Sequence, residues 1–299
     1  MSLLVVGSVA LDDIEAPAGS AKGVLGGAAS YFGVAASFFV PVRVVAVVGD
    51  DFPEEHVRFL SSKGLDLAGL ERVRGRTFRW GGRYRASLNE RDTLFTELGV
   101  FEHFEPKIPA AWRDSEWVFL ANIQPTLQRN VLEQTRAPRF SAMDTMNFWI
   151  EGARTELAKT LSVVNGLVIN DEEARQLTNE PNLVRAAEAI RALGPRVVIV
   201  KRGEHGALLF DDAGIFAAPA FPLREVRDPT GAGDSFAGGL MGALASAGRV
   251  DTDTLRRAMI YGSVLASFCV ERFSLDRLRD LTRADVDARF EEFRRLTRF

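Results

Sequence analysis

Cysteine is almost missing from this 299-residue chain, with Cys269 standing alone. A single thiol rules out an internal disulfide, which fits a reducing cytoplasm. Its neighbours Ala266, Ser267, Phe268 and Val270 read as a packed helix, so the thiol is expected to be buried and inert. Histidine is scarce too. His56, His103 and His205 lie far apart and join no metal-ligand or nucleophile motif. No apolar run reaches the ~20 residues that a membrane span needs. The short Leu3–Ala10 stretch lacks the basic flank of a signal peptide. With a formal net charge of −3 the chain is unlike a general nucleic-acid binder, which is basic. No Gly-x-x-x-x-Gly-Lys-Ser/Thr run exists, and this excludes a P-loop.

What the chain does have is a regular succession of short apolar runs. Leu3–Val6, Val44–Val48, Trp117–Leu120, Leu167–Ile169, Val197–Val200 and Ala207–Phe210 are continuous rather than alternating, as strands buried on both faces require. Helical patterns lie between them, at Ala28–Phe39, Pro53–Lys63, Thr126–Gln134, Gly152–Leu161, Asn182–Leu193, Asp234–Ala247 and Thr252–Val270. This alternation predicts one α/β domain over residues 1–299, with a doubly wound, mainly parallel sheet. Ligands in such folds bind beyond the carboxyl ends of the strands. Asp12, Asp50, Asn122, Asp144 and Asn170 each follow a strand and are candidates on that ground.

Two segments break the pattern, at about 12–24 and 72–105. The first is polar and lacks helical periodicity. In the second, Thr77-Phe78-Arg79-Trp80 and Arg83-Tyr84-Arg85 alternate with period two around Gly81-Gly82, which reads as a hairpin with one exposed face. Together they predict a small β-sheet lid over the strand ends. Arginines interleaved with aromatics also suit single-stranded nucleic acid. Glu90, Asp92, Glu97, Glu102 and Glu105 cancel that charge locally, so the lid reading prevails.

The densest chemical signal runs from Asp228 to Gly239, Asp-Pro-Thr-Gly-Ala-Gly-Asp-Ser-Phe-Ala-Gly-Gly. Gly231, Ala232 and Gly233 can aim backbone N–H groups at one point, and the following helix adds the positive end of its dipole. The result is an anion hole. Asp234 stands at its mouth, placed to take a proton from a hydroxyl attacking phosphorus. Asn170 and Glu173, three apart at the start of a helix, point at one region, though such a pair also caps helices. Lys201 follows a strand and can neutralise phosphate charge, or it can be a plain surface lysine.

At every restricted position the 228–239 stretch resembles the C-terminal signature of the ribokinase (PfkB-type carbohydrate kinase) family. The resemblance extends from Gly7 to about Val270, with the motifs in the family's order. It implies a ribokinase-like fold and a cytoplasmic, ATP-dependent kinase that phosphorylates a hydroxyl of a small-molecule alcohol, with Asp234 as catalytic base. Asn170 and Glu173 match an Asn-x-x-Glu element that holds Mg2+ through water. Lys201 and Gly203 match a turn that touches the nucleotide, and Ser263 matches the region flanking adenine. Asp12 matches a substrate-binding Asp, although Asp13 beside it leaves open which one points inward. Gly26 and Gly27 match the first Gly-Gly element. The Asn that often follows that element is absent, and Ser30 or Tyr31 stands nearby instead. Asp228 and Thr230 coincide with a monovalent-cation (K+) site of some members, the competing reading being a structural turn.

The acceptor stays open between a sugar and a nucleoside, with a slight lean to the sugar. A base needs an aromatic slot, for which Tyr31, Phe78, Trp80 and Phe148 are candidates. A free sugar needs more polar partners, such as Asn122, Gln124 and Asn147. A non-catalytic ATP- or metabolite-binding relative is the alternative of another class. An apolar lid face would favour a homodimer.

Overall fold

The computed structural model describes residues 2–298. Its main sheet has nine strands: β1 (Leu3–Val6), β4 (Val42–Gly49), β5 (Leu65–Val73), β8 (Trp117–Leu120), β9 (Phe140–Asp144), β10 (Gly166–Asn170), β11 (Val197–Lys201), β12 (Ala207–Asp211) and β13 (Gly214–Ala218). They lie in the order β13-β12-β11-β10-β9-β8-β1-β4-β5, parallel except for the antiparallel β12 and β13 at one edge. Successive side chains alternate between faces. Leu3 and Val5 therefore enter one core and Leu4 and Val6 another, both with no exposed surface. Burial on both faces is why these strands are continuously apolar. β5 and β13 escape the sequence pattern because they are edge strands whose polar or exposed positions dilute it.

Helices cover both faces: α1 (Ala28–Ser37), α2 (Glu54–Ser62), α3 (Pro125–Gln134), α4 (Asn147–Gly152), α5 (Arg154–Leu161), α6 (Asp171–Thr178), α7 (Leu183–Ala192), α8 (Ala232–Ala247), α9 (Thr252–Cys269), α10 (Asp276–Asp280) and α11 (Arg283–Leu296). The chain runs from β1 through β4 to β5 on one side, then resumes at β8 on the other side of β1. Strand order thus reverses between β1 and β8, and the crevice beyond their carboxyl ends is where such sheets bind ligands. Beneath it Phe32 of α1 stacks on Phe119 of β8, with ring centroids 4.4 Å apart.

A second, four-stranded sheet has the order β3-β2-β6-β7, from β2 (Ala10–Ala16), β3 (Gly19–Gly26), β6 (Arg79–Tyr84) and β7 (Arg91–Glu97). It is drawn from the two segments that broke the pattern. The position of its turn differs from expectation. Gly81 and Gly82 lie inside β6, and the chain reverses later, between Tyr84 and Arg91. A Cβ on Gly81 would meet the Phe95 ring at 2.3 Å, and one on Gly82 the Trp80 ring at 2.0 Å. The glycines make room for aromatic rings lying across the sheet. A bulge accompanies them, because Gly81 faces Phe95 while Gly82 faces Thr93.

Candidate active site

Leaving β1, the chain passes Ser8, whose carbonyl and hydroxyl accept the N–H groups of Ala29 and Ala28 at the start of α1. It then enters β2, where pairing with β6 decides which aspartate turns inward. Asp12 lies beside Trp80 and Asp13 beside Gly81, so the two carboxylates take opposite faces. Asp12 is 4% exposed. Asp13 is less buried and accepts the Gly23 N–H at 2.7 Å. Asp12 is therefore the inward acid. A Cβ on Gly26 would sit 1.9 Å from its carboxylate, so only glycine fits there. Burial pushes the Asp12 carboxyl up to about 8, helped by the charges of Asp228 and Asp234 and opposed by a hydrogen bond from the Gly27 backbone. Ser30, in the first turn of α1, is buried and its hydroxyl has no partner among the described residues.

The Asp-Pro-Thr-Gly turn delivers the start of α8 to the same place. Gly231 takes φ 73°, and a Cβ there would lie 2.2 Å from the Tyr31 ring. Tyr31 is thus packed behind the loop and is no candidate for stacking on a base. α8 begins at Ala232, two residues earlier than the sequence pattern indicated. One detail of the anion hole changes. The Ala232 N–H is engaged in a turn bond to the Pro229 carbonyl at 3.2 Å. The donors left for an anion are those of Gly231, Gly233 and Asp234, together with the helix dipole. Lys201, at the end of β11, brings its Nζ to 2.6 Å from where a Gly233 Cβ would be, directly over the hole. Burial raises the Asp234 carboxyl, and the charges of Lys201 and Arg91 work against that rise.

Asp228 is fully buried, and each of its carboxylate oxygens accepts a backbone N–H at 2.9 Å, from Thr230 and from Ser274. The Thr230 hydroxyl donates to Tyr84 Oη at 3.1 Å, which ties the small sheet to the loop. Cys269 lies fully buried behind it, as expected, with its thiol donating to the Thr230 carbonyl.

At the end of β10, Asn170 and Glu173 form a reciprocal cap of α6. Asn170 Oδ1 accepts the Glu173 N–H at 2.8 Å, and Glu173 Oε2 accepts the Asn170 N–H at 3.0 Å. The pair is locked in place, its acid within reach of the Lys201 charge. Asp144, at the end of β9, is buried, and its Oδ1 has no partner among the described residues. Burial and then the neighbouring Asp234 hold its carboxyl well above the usual range, with Lys201 opposing. Gly203 takes φ 54° in the turn after Lys201 and approaches Asn89 at the tip of the β6–β7 hairpin. Ser263 lies on α9, buried against the neighbouring helices. Asp50 is exposed and accepts the Gly75 N–H.

Asp12 on β2, Asp144 and Lys201 at the ends of β9 and β11, and Glu173 and Asp234 in the first turns of α6 and α8 thus converge. Two members escaped the sequence reading. Tyr84 and Arg91, cross-strand partners in the small sheet, reach the site through a pairing that no local motif announces. A buried acid beside a helix N-terminus with a lysine over it, under a small β-sheet, defines a phosphotransferase acting on a hydroxyl. The sequence profile of the pfkB family of carbohydrate kinases matches residues 4–278, and the chain belongs to that family. Kinases of this family use ATP. A cytidine kinase of Thermococcus kodakarensis is 31% identical over 250 residues, spanning 81% of this chain and 87% of that one. A nucleoside kinase of Thermoplasma acidophilum is 25% identical over 278 residues, 91% of this chain and 86% of its own. Among solved structures, aminoimidazole riboside kinase from Salmonella enterica, complexed with aminoimidazole riboside and an ATP analogue, superposes with a TM-score of 0.80. It shares 20% identity and covers 97% of this chain and 100% of its own. Among the described residues, no helix is long and apolar enough to cross a membrane.

Proposed function

We propose that this kinase phosphorylates a nucleoside, with Asp234 taking the proton from the attacking sugar hydroxyl. One juxtaposition carries the choice of acceptor. Asp12, suited to grip ribose hydroxyls, is the cross-strand partner of Trp80 on the same face of the small sheet, so a ribose held by Asp12 would set its base beside the edge of the indole. The polar set that a free sugar would need is partly engaged. Asn122 accepts the Trp149 indole N–H at 2.9 Å and donates to Met146 Sδ. The similarity to cytidine and nucleoside kinases points the same way.

In this mechanism the acceptor oxygen loses its proton to Asp234 and forms a bond to the γ-phosphorus. The bond from that phosphorus to the β-phosphate oxygen breaks, and ADP leaves with the electron pair. Gly231 and Gly233 donate backbone N–H groups to the transferring phosphoryl, and Lys201 balances its charge. No three His, Cys, Asp or Glu side chains among the described residues cluster as a metal cage. Mg2+ would be held by Asn170 and Glu173 through water, where it would neutralise phosphate charge. Asp228 accepts one backbone N–H on each oxygen, which braces the turn to Thr230, and K+ would be held there by the lone pairs these bonds leave. Leu94 and Leu98, each 42% exposed on or beside β7, support a homodimer through the small sheet, which sedimentation of Leu94→Glu against wild type would test.

The acceptor assignment is tested by ADP release with Mg-ATP across nucleosides, pentoses, hexoses and sugar phosphates. Turnover is expected with a nucleoside. Turnover confined to free sugars would sink the assignment while leaving the kinase intact.

A further inference from the structure

The small sheet contains four arginines, at 79, 83, 85 and 91 in the β6–β7 hairpin, and three are spoken for. Arg79 pairs with Asp51 at 3.4 Å, Arg83 with Glu15 at 2.6 Å and Arg85 with Asp92 at 2.8 Å. Arg91 has no ion-pair partner among the described residues, and its polar neighbour is the Tyr84 hydroxyl. Its place in the sheet is also different. It stands opposite Tyr84, and Trp80, Gly82 and Tyr84 share the face that carries Asp12 toward the crevice. Arg83, one residue from Tyr84, takes the outer face and its salt bridge there.

The Trp80 ring, the Tyr84 side chain and the strand pairing fix where Arg91 sits. Its guanidinium carbon lies 5.2 Å from the centre of the Trp80 ring, a flat support, and the Tyr84 hydroxyl engages part of the fork. Tyr84, only 8% exposed, is fixed by the Thr230 hydroxyl at 3.1 Å, one residue before Gly231 of the anion hole. The strand pairing then sets Arg91 relative to that hole. Its positive charge is felt by both Asp234 and Glu173.

We infer that Arg91 is a further catalytic residue, whose guanidinium binds the oxygens of the γ-phosphoryl group as it transfers, with Tyr84 as the positioning residue that latches its strand to Thr230. This rests on the kinase reading above. Lys201 covers the hole from the main sheet as a point charge. Arg91 covers the transferring group from the lid side with a planar fork that matches phosphate oxygens. Charge spreads onto those oxygens in the transition state, so the contact strengthens there and raises kcat more than it lowers KM.

The test compares wild type with Arg91→Ala, Arg91→Lys and Arg83→Ala, in ADP release and in binding of ADP and the non-hydrolysable analogue AMP-PNP. Arg91→Ala is expected to lose about 10²–10³-fold in kcat, as for removal of a preorganised donor. Lysine should restore little of it, added guanidinium should restore part, and AMP-PNP affinity should fall more than ADP affinity. Arg83→Ala should behave as wild type. Tyr84→Phe should lower kcat with nucleotide affinity kept, without rescue by guanidinium. Unchanged kcat in Arg91→Ala, or equal losses for ADP and AMP-PNP, would overturn the assignment. If wild type turns over no acceptor, the kinase reading fails instead, and the AMP-PNP to ADP ratio still decides whether Arg91 touches the γ-phosphate.

Discussion

Replacing Asp12 with Asn should stabilise the fold, by an amount that grows with pH. The Asp12 carboxyl is carried from an ordinary 3.8 to about 8, first by burial and then by Asp228 and Asp234. Below about pH 4 both folded and unfolded chains hold this proton, and it has no effect on stability. Between about pH 4 and 8 the unfolded chain releases it while the folded one retains it, so stability falls by about 1.4 kcal/mol per pH unit. Above about pH 8 the full penalty applies, on the order of 5 kcal/mol. Asn keeps the size and can accept the Gly27 N–H, but it never ionises. Thermal melts of Asp12→Asn and wild type at several pH values read the difference. The gain should be roughly 1–2 kcal/mol at pH 5 and reach ~5 kcal/mol near pH 8, or about 10 °C in Tm for a chain of this size. The same variant should bind acceptor poorly. A gain that does not change with pH, or a loss of stability at pH 8, would refute this account of the buried acid.

Gly231→Ala should cost about 2–4 kcal/mol, from a positive φ and an overpacked Tyr31, and should abolish nucleotide-dependent turnover; calorimetry with an ADP-release assay checks both. Trp80→Ala should raise the nucleoside KM by about 5- to 100-fold, the range for losing one base contact, and should also lower kcat because it removes the support of Arg91. Equal KM in both proteins would move the base elsewhere.

The sheet was legible because strands buried on both faces must be apolar throughout, and Leu3–Val6 and Trp117–Leu120 have the very bounds read from the sequence. The Asp228–Gly239 run was legible for a similar reason, since loop, helix start and catalytic acid are contiguous. Information held between strands was not. Asp12 and Asp13 are equivalent in a linear pattern, and only the pairing with Trp80 and Gly81 separates them. Gly81-Gly82 imitates a turn, while its cause is the rings of Trp80 and Phe95. Arg91 sits in an arginine-rich stretch, and its lack of an acid partner is visible only once the other three are paired. The engaged Ala232 N–H depends on one turn bond to Pro229 that residue types do not reveal.

The central claim is that Asp234 removes the acceptor's proton beside a helix-start anion hole. It is met most directly by Asp234→Asn, measured for ADP release with the best nucleoside and for ATP affinity by titration. A fall of about 10²–10⁴-fold in kcat with ATP affinity nearly unchanged is the expected result. Turnover close to wild type would contradict it.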